Sequence, residues 1–260
     1  MTENKGKWLA EAANSFFKEC SNIVNDEKLF DNFKQNNIFT KIIGNDVRST
    51  AIANQCFEKI KDSNLLKLID KFKTNDKYGN PLLNSHENIG EISGGTLYFI
   101  FILNDIINKI GDIKDLNIIE IGSGYGGQAK IILDYGVNNY TCVDVKEPLS
   151  LCKKYLGLFS YKNVNFLETS EIKNSNLIKS NDLVISNWCL SEFDLDGIKY
   201  YVDYIVKKCN SGYFLMNCWD TERQNFVRTE MAKYFSSITI IGEEIQTHHS
   251  GNNFLLYVKK

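Results

Sequence analysis

The chain is short of most features that would tie it to a membrane, an oxidising compartment or a nucleic acid. No apolar run approaches the roughly 20 residues that a bilayer requires. The most apolar stretch, Thr96 to Ile107, is interrupted by Asn104 and Asp105. The seven cysteines, Cys20, Cys56, Cys142, Cys152, Cys189, Cys209 and Cys218, include no Cys-x-x-Cys pair. An odd number of thiols in mostly apolar surroundings speaks for a reducing cytoplasm rather than a disulfide framework. Neither sign of charge dominates, since 30 Lys+Arg against 32 Asp+Glu leave −2. The lysines at 59, 61, 67, 71 and 73 are interspersed with acids and read as a solvated helix face, so neither nucleic acid nor a membrane surface is an expected partner. There are two prolines, and no Pro-rich linker, low-complexity tract or internal repeat. The N-terminus leads into no apolar signal core. The three histidines, His86, His248 and His249, show no metal-ligand spacing with any acid, so no metal is expected.

What is present changes in texture along the chain. Up to about residue 110 the apolar residues recur at helical spacing: Trp8, Leu9, Ala12, Phe16 and Phe17, then Phe57, Ile60, Leu65, Leu66 and Ile69. Tyr78-Gly79-Asn80-Pro81 marks a turn, and Gly94-Gly95 precedes an apolar helix running to about Ile110. From Leu116 short apolar strands alternate with helices. Strands are expected at Asn117–Ile121, Tyr140–Asp144, Val164–Leu167, Leu183–Ser186 and Gly212–Met216, and helices at Gln128–Tyr135, Pro148–Leu158, Asp196–Lys208 and Thr221–Phe235. That alternation predicts a doubly wound α/β fold with a mostly parallel sheet. Two last strands, Ser237–Ile241 and Phe254–Lys259, have no helix between them and should form an antiparallel pair at the sheet edge. Residues 1–90 are expected to form a helical cap on the acceptor side, and 91–260 the ligand-binding domain.

The segment Ile118-Ile119-Glu120-Ile121-Gly122-Ser123-Gly124-Tyr125-Gly126-Gly127 carries the chemistry. A strand runs into a glycine-rich turn that lets a ligand approach the backbone. The helix that follows offers free N–H groups and a positive dipole end. Asp144 closes the next strand, where a carboxylate can accept both hydroxyls of a ribose. Its competing role is a helix cap. These features suit any adenosine-type cofactor. Gly122, Gly124 and Gly127 also satisfy G-x-G-x-x-G, so a nicotinamide or flavin enzyme stands as an alternative.

Glu120 two residues before the first glycine gives acidic-x-Gly-x-Gly-x-Gly, which resembles the first motif of class I S-adenosylmethionine-dependent methyltransferases. The mid-chain position of this motif and the terminal strand–loop–strand pair resemble that family too. The resemblance implies a seven-stranded Rossmann-like sheet with an antiparallel last strand, S-adenosylmethionine as methyl donor and S-adenosylhomocysteine as product. It implies cofactor contacts at Glu120, Gly122, Ser123, Gly124, Tyr125, Gly126, Asp144 and Val145. Around the adenine it implies Glu168, Thr169 or Ser170, with a solvated loop as the alternative for Glu168 and Ser170, and at the methionine end Asn187 and Trp188, with core filling as the alternative for Trp188. Thr96 or Tyr98 could hold the cofactor carboxylate, with packing as the alternative for Tyr98.

Ser186-Asn187-Trp188-Cys189-Leu190-Ser191-Glu192-Phe193, with Gly212-Tyr213-Phe214-Leu215-Met216-Asn217 further on, is similar to bacterial sugar O-methyltransferases encoded with surface-polysaccharide genes. The similarity covers roughly residues 90–260. It implies a sugar or nucleotide-linked sugar as acceptor, with Glu192 first in line for acceptor contact. A hydroxyl needs a general base within reach. His248, His249, Asp220 and His86 are further candidates, while a polar hairpin loop is the competing reading of His248 and His249. A different small acceptor, such as an amine or a phosphate-type group, remains open.

Overall fold

Apolar runs such as Ile118-Ile119 and Leu183-Val184-Ile185 are suited to strands covered on both faces, and they form the middle of a seven-stranded sheet. The computed structural model describes residues 3–37, 50–178, 181–217, 221–245 and 253–260, with side chains from residue 14 onward except at 221 and 223. Helices α1 (Glu3–Asn25), α2 (Glu27–Asp31), α3 (Thr50–Ile60) and α4 (Ile69–Phe72) come first. A hairpin of β1 (Leu83–His86) and β2 (Gly90–Ser93) leads into α5 (Gly94–Ile110). Then follow β3 (Asn117–Ile121), α6 (Gly127–Tyr135), β4 (Asn139–Asp144), α7 (Lys146–Leu156), β5 (Val164–Glu168), β6 (Asn181–Asn187), α8 (Leu195–Tyr204), β7 (Cys209–Met216), α9 (Thr221–Ala232), β8 (Ser237–Gly242) and β9 (Phe254–Lys259).

The sheet order is β5-β4-β3-β6-β7-β9-β8, parallel from β5 to β7. The last strand, β9, runs antiparallel to both β7 and β8. The doubly wound, mostly parallel architecture read from the sequence is the observed one. The terminal pair differs in one respect: β9 is inserted between β7 and β8, so β8 alone is the edge. The β1–β2 hairpin lies in a region whose apolar spacing reads as helical. Its strands are four residues each, too short to impose a period of two on the pattern.

Two apolar layers flank the sheet. Ile119, Ile121, Val143, Leu167, Val184, Ile198 and Met231 form the layer beneath α8 and α9. On the other face Ile118, Tyr140, Cys142, Ile185 and Tyr213 join α5, α6 and α7, and the same cluster continues into Phe16, Cys20, Phe33, Ala53, Cys56 and Phe72 of the N-terminal region. A buried ion pair fastens that region to the sheet. Lys130 of α6 pairs with Asp134 one turn on and donates to Lys71 O (2.7 Å) and Thr74 Oγ1 (2.5 Å), while Tyr161 donates to Asp134 Oδ1 (2.5 Å). Desolvation lowers the pKa of the enclosed ammonium. Among the described residues no helix is long and apolar enough to cross a membrane.

Candidate functional site

The chain leaves β3 to build β4 and β5 on one side, then returns to place β6 on the other. Ligands of open α/β sheets bind outside the carboxyl ends of the strands at such a reversal. Here the turn after β3 and the turn after β6 face one another across that gap.

On the β3 side the turn is fixed by main-chain hydrogen bonds. Gly122 N–H donates to Val143 O (2.8 Å), Ser123 N–H reaches the same oxygen at 3.4 Å, and Gly126 N–H donates to Ser123 O (2.9 Å). Gly122 has φ +79, and a β-carbon there would lie 2.3 Å from Cys189 Cβ. Cys189, the second residue beyond β6, is therefore wedged against the turn, and only glycine fits beneath it. Gly124, with φ +54, is the contrasting position: a β-carbon there would meet nothing within 4 Å. That is the open side of the turn, where a ligand can approach the backbone.

Asp144 ends β4 half-buried, its Oδ2 accepting from Gly124 N–H (2.9 Å) and its Oδ1 from Val145 N–H (2.8 Å). Each oxygen keeps further lone pairs for ligand hydroxyls. Burial raises its pKa to about 7, against the lowering effect of those two N–H bonds. The charge of Asp144 contributes to raising the Cys20 thiol, after desolvation, and α1 packs on α7. The N-terminal helix thus borders the Asp144 corner. Glu120 lies deeper, 2% exposed, with Tyr140 Oη donating to its Oε2 (2.9 Å). Desolvation, with a smaller push from Asp144, raises it to about 8 despite the Tyr140 bond. It supports the turn from beneath. Tyr125 is buried among Phe33, Phe99 and Tyr155 at centroid distances of 5.2, 6.2 and 5.1 Å. Its ring anchors the turn to the N-terminal region.

At the end of β5, Glu168 and Ser170 are engaged with each other (2.8 Å), and Glu168 forms a reciprocal cap with Glu171. The Thr169 hydroxyl is 3.2 Å from Tyr201 Oη. This corner carries polar groups at the strand end beside Asp144, with which Glu168 is in register.

On the β6 side, Asn187 is the last strand residue and its Oδ1 is buried without a hydrogen-bond partner. Trp188 follows with φ +62, a conformation that bulky L-residues rarely adopt. Its N–H donates to Leu215 O (2.7 Å) and its carbonyl accepts from Ser191 Oγ (2.7 Å). The ring stacks on Tyr98 at 5.5 Å and 20°. Exposed Glu192 accepts from Asn217 Nδ2 (3.0 Å), which leaves Asn217 Oδ1 buried and unpartnered. The structure thus gathers Glu192, Asn187 and Trp188 on one bank of the gap, and Glu120, Gly122, Ser123, Gly124, Gly126, Asp144 and Val145 on the other.

Several sequence candidates sit elsewhere or are engaged. Tyr98 is buried and donates to Glu243 Oε1 (3.2 Å). Thr96 is enclosed by Asp76 (2.7 Å), Asn75 (2.6 Å) and Ser93 (3.1 Å). His86 packs on Phe57 of α3 at 5.0 Å. Its Nε2 is buried without a partner, and burial lowers its pKa. Asp220, His248 and His249 lie outside the described residues. The strand ends that flank His248 and His249, Gly242 and Phe254, are paired, and Phe254 also pairs with Met216 at the carboxyl end of β7. Among the described residues no three His, Cys, Asp or Glu side chains gather as a metal site. Sequence reasoning missed Cys189, Asn217 and Glu243. Asn217 was the findable one, as a polar residue directly after an inner strand's carboxyl end.

The sequence matches no family model and no curated protein. Solved structures do resemble the fold. The methyltransferase domain of bacterial CtHen1-CN aligns with TM-score 0.50 and 13% identity over 61% of this chain and 96% of that one. N-methyltransferase NodS from Bradyrhizobium japonicum WM9 aligns with TM-score 0.48 and 15% identity over 63% of this chain and 94% of that one. An O-methyltransferase family protein from Burkholderia thailandensis gives TM-score 0.48 and 12% identity over 63% of this chain and 58% of that one. The likeness is one of fold: a Rossmann-like α/β sheet, mostly parallel, with a reversed last strand.

Proposed function

We propose that the chain is an S-adenosylmethionine-dependent methyltransferase that O-methylates a small hydroxylated acceptor, a sugar or nucleotide-linked sugar of surface-polysaccharide synthesis. The observation that carries the reading is the pairing of an open Gly124 with the half-buried Asp144 at the point where the sheet reverses. The residues present fit a nucleoside methyl donor. Gly124 gives backbone access, Asp144 offers lone pairs to two vicinal hydroxyls, and the Asn187 amide borders the opposite bank.

When bound, the methyl donor supplies an electrophilic methyl on a sulfonium, and the chain supplies position and proton removal. Glu192 is the exposed carboxylate on the acceptor bank, oriented by Asn217 Nδ2, and it takes the proton of the acceptor hydroxyl. The buried Asn187 and Asn217 carbonyl oxygens suit an acceptor rich in hydroxyl donors. An amine acceptor would meet the same oxygens, which makes it the second reading.

Binding titrations with S-adenosylhomocysteine and with NAD test the donor. Uptake of the first and not of the second is expected, and the reverse would turn the reading to an oxidoreductase. A methyl-transfer screen against nucleotide-linked sugars, read by mass, tests the acceptor. Turnover of amines but of no sugar would remove the sugar assignment and leave the methyltransferase reading standing.

A further inference from the structure

Trp188 needs something to keep it where it is. A tryptophan at φ +62 is strained, and such strain persists only where the surroundings over-determine it. Hydrogen bonds to Leu215 and Ser191 hold its main chain, and its ring stacks on the face of Tyr98 while packing against the apolar cluster on that side of the sheet. Tyr98 comes from α5, the helix before the sheet. Its hydroxyl donates to Glu243 Oε1, and Glu243 is itself fixed twice by Asn253: Asn253 Nδ2 donates to Glu243 Oε2 (2.8 Å), and Glu243 N–H donates to Asn253 O (3.0 Å). Glu243 and Asn253 directly follow β8 and precede β9, and both are buried. The chain of contacts therefore runs from the end of the antiparallel pair, through Glu243 and Tyr98, to the turn that carries Asn187 on one side and wedges Cys189 under Gly122 on the other.

We propose that Glu243 is a positioning residue for methyl transfer: by holding Tyr98 it fixes the Trp188 ring, and with it the left-handed turn that closes β6 against the glycine turn. This rests on the reading of that gap as the donor site. A buried carboxyl group suits the role because its two oxygens can be engaged at once, one by the Tyr98 hydroxyl and the other by Asn253 Nδ2. Glutamine keeps an acceptor oxygen at the same reach, whereas alanine leaves the Tyr98 hydroxyl unanswered in the interior.

The test is a double-mutant cycle on the full chain, with S-adenosylhomocysteine affinity measured by calorimetry and thermal stability followed for every variant. Glu243→Ala is expected to weaken binding about tenfold, and Glu243→Gln to restore it to within about threefold, because the lost contact is one side-chain hydrogen bond. In a Trp188→Gly background glycine accepts the turn without the ring, so adding Glu243→Ala should change affinity less than about twofold. An equal loss in both backgrounds, or no loss in the native one, would overturn the proposal, since a merely structural Glu243 acts independently of Trp188. A second readout needs no ligand. The emission that disappears in Trp188→Gly belongs to Trp188, and it should shift to longer wavelength in Glu243→Ala and return in Glu243→Gln. An unshifted emission refutes the clamp. A native protein that takes up no S-adenosylhomocysteine refutes the donor reading, and the emission then decides the clamp alone.

Discussion

The two banks of the gap are built on different principles. On the β3–β4 bank, main-chain groups do the holding: Val143 O fixes Gly122 and Ser123, and the Asp144 carboxylate is placed by the N–H groups of Gly124 and Val145. All the partners lie within two short segments joined by one parallel strand pair. On the β6–β7 bank, side chains do the holding: Trp188 rests on Tyr98, Tyr98 on Glu243, and Glu192 on Asn217. Those partners are separated by up to 145 residues. A bank made of main chain keeps its shape through most substitutions and fails only where the backbone itself cannot follow. A bank made of side chains can be retuned one residue at a time. The first suits a constant ligand and the second a variable one, the division that the proposed reading requires between a methyl donor and its acceptor.

The sharpest way to break that comparison is to attack the backbone bank at its tightest point. Gly122→Ala combines a left-handed φ with a β-carbon 2.3 Å from Cys189 Cβ, and should cost about 3 kcal/mol by adding overpacking to backbone strain. Denaturant unfolding should show that loss, and donor uptake should disappear. Combining it with Cys189→Gly removes the clash but not the φ penalty, so about half of the stability should return. Full stability in the single variant would mean that the turn yields, and that the two banks do not differ in kind.

Asp144→Asn comes next. Replacing a charged acceptor of ligand hydroxyls should weaken S-adenosylhomocysteine binding by about 2 kcal/mol, roughly thirtyfold, at pH 8. The pH dependence follows from the carboxyl's rise from its ordinary 3.8 to about 7. Below pH 7 the native carboxyl is protonated and loses acceptor capacity, so native affinity should fall as pH is lowered through 7, and the asparagine variant should show no such step. Stability moves the other way. A carboxyl that binds its proton more tightly when folded favours the fold at acid pH, and that contribution is lost as pH rises towards and through 7. The melting temperature of Asp144→Asn, relative to native, should therefore increase between pH 5 and pH 8. A flat native binding profile across that range would remove Asp144 from the ligand contact.

This asymmetry also explains what the sequence could tell. Gly122, Gly124 and Asp144 were legible because their constraints are local: a φ that favours glycine, and a carboxylate one strand away at a fixed distance along the chain. The sheet was legible because inner parallel strands read as unbroken apolar runs. Cys189, Asn217 and Glu243 were not, because their importance comes from residues that only the folded sheet brings together. Cys189 matters through the lack of a side chain 67 positions earlier, at Gly122. Tyr98 was read as a holder of the cofactor carboxylate or as a packing residue, and its partner is Glu243, 145 residues further along the chain. The β1–β2 hairpin was hidden for a simpler reason, since four-residue strands beside an apolar helix do not outweigh its period.

Glu192→Gln examines the side-chain bank, where donor uptake should hardly respond. Asn217 keeps an acceptor at the same reach, so S-adenosylhomocysteine affinity should stay within about twofold of native. Turnover of a sugar acceptor should drop about a hundredfold, the lower end of what a positioned general base contributes. Unchanged turnover would move the proton-accepting role away from Glu192. Lost donor affinity would show that the two banks do not act separately.

The smallest effect on uptake is expected at Glu120, although it sits inside the motif that identifies the turn. The residue is 2% exposed, and desolvation raises it from 4.5 to about 8. At neutral pH it is therefore a neutral acid that accepts from Tyr140 and presents no charge to a ligand. Glu120→Gln keeps that acceptor and that volume, so its S-adenosylhomocysteine affinity at pH 7 and its stability near pH 4.5 should match native within about 0.5 kcal/mol. From there up to pH 8 the two stabilities should part. The unfolded native chain gives up this proton while the folded one keeps it, so native stability falls with pH until the folded carboxyl also ionises near 8, whereas glutamine binds no proton and the variant becomes the more stable protein. Melting curves from pH 4.5 to pH 9 read this directly, with no further divergence expected above pH 8. A tenfold fall in affinity at pH 7 would instead mean that Glu120 is ionised when ligand is present, and the backbone bank would then depend on a side chain at its own base.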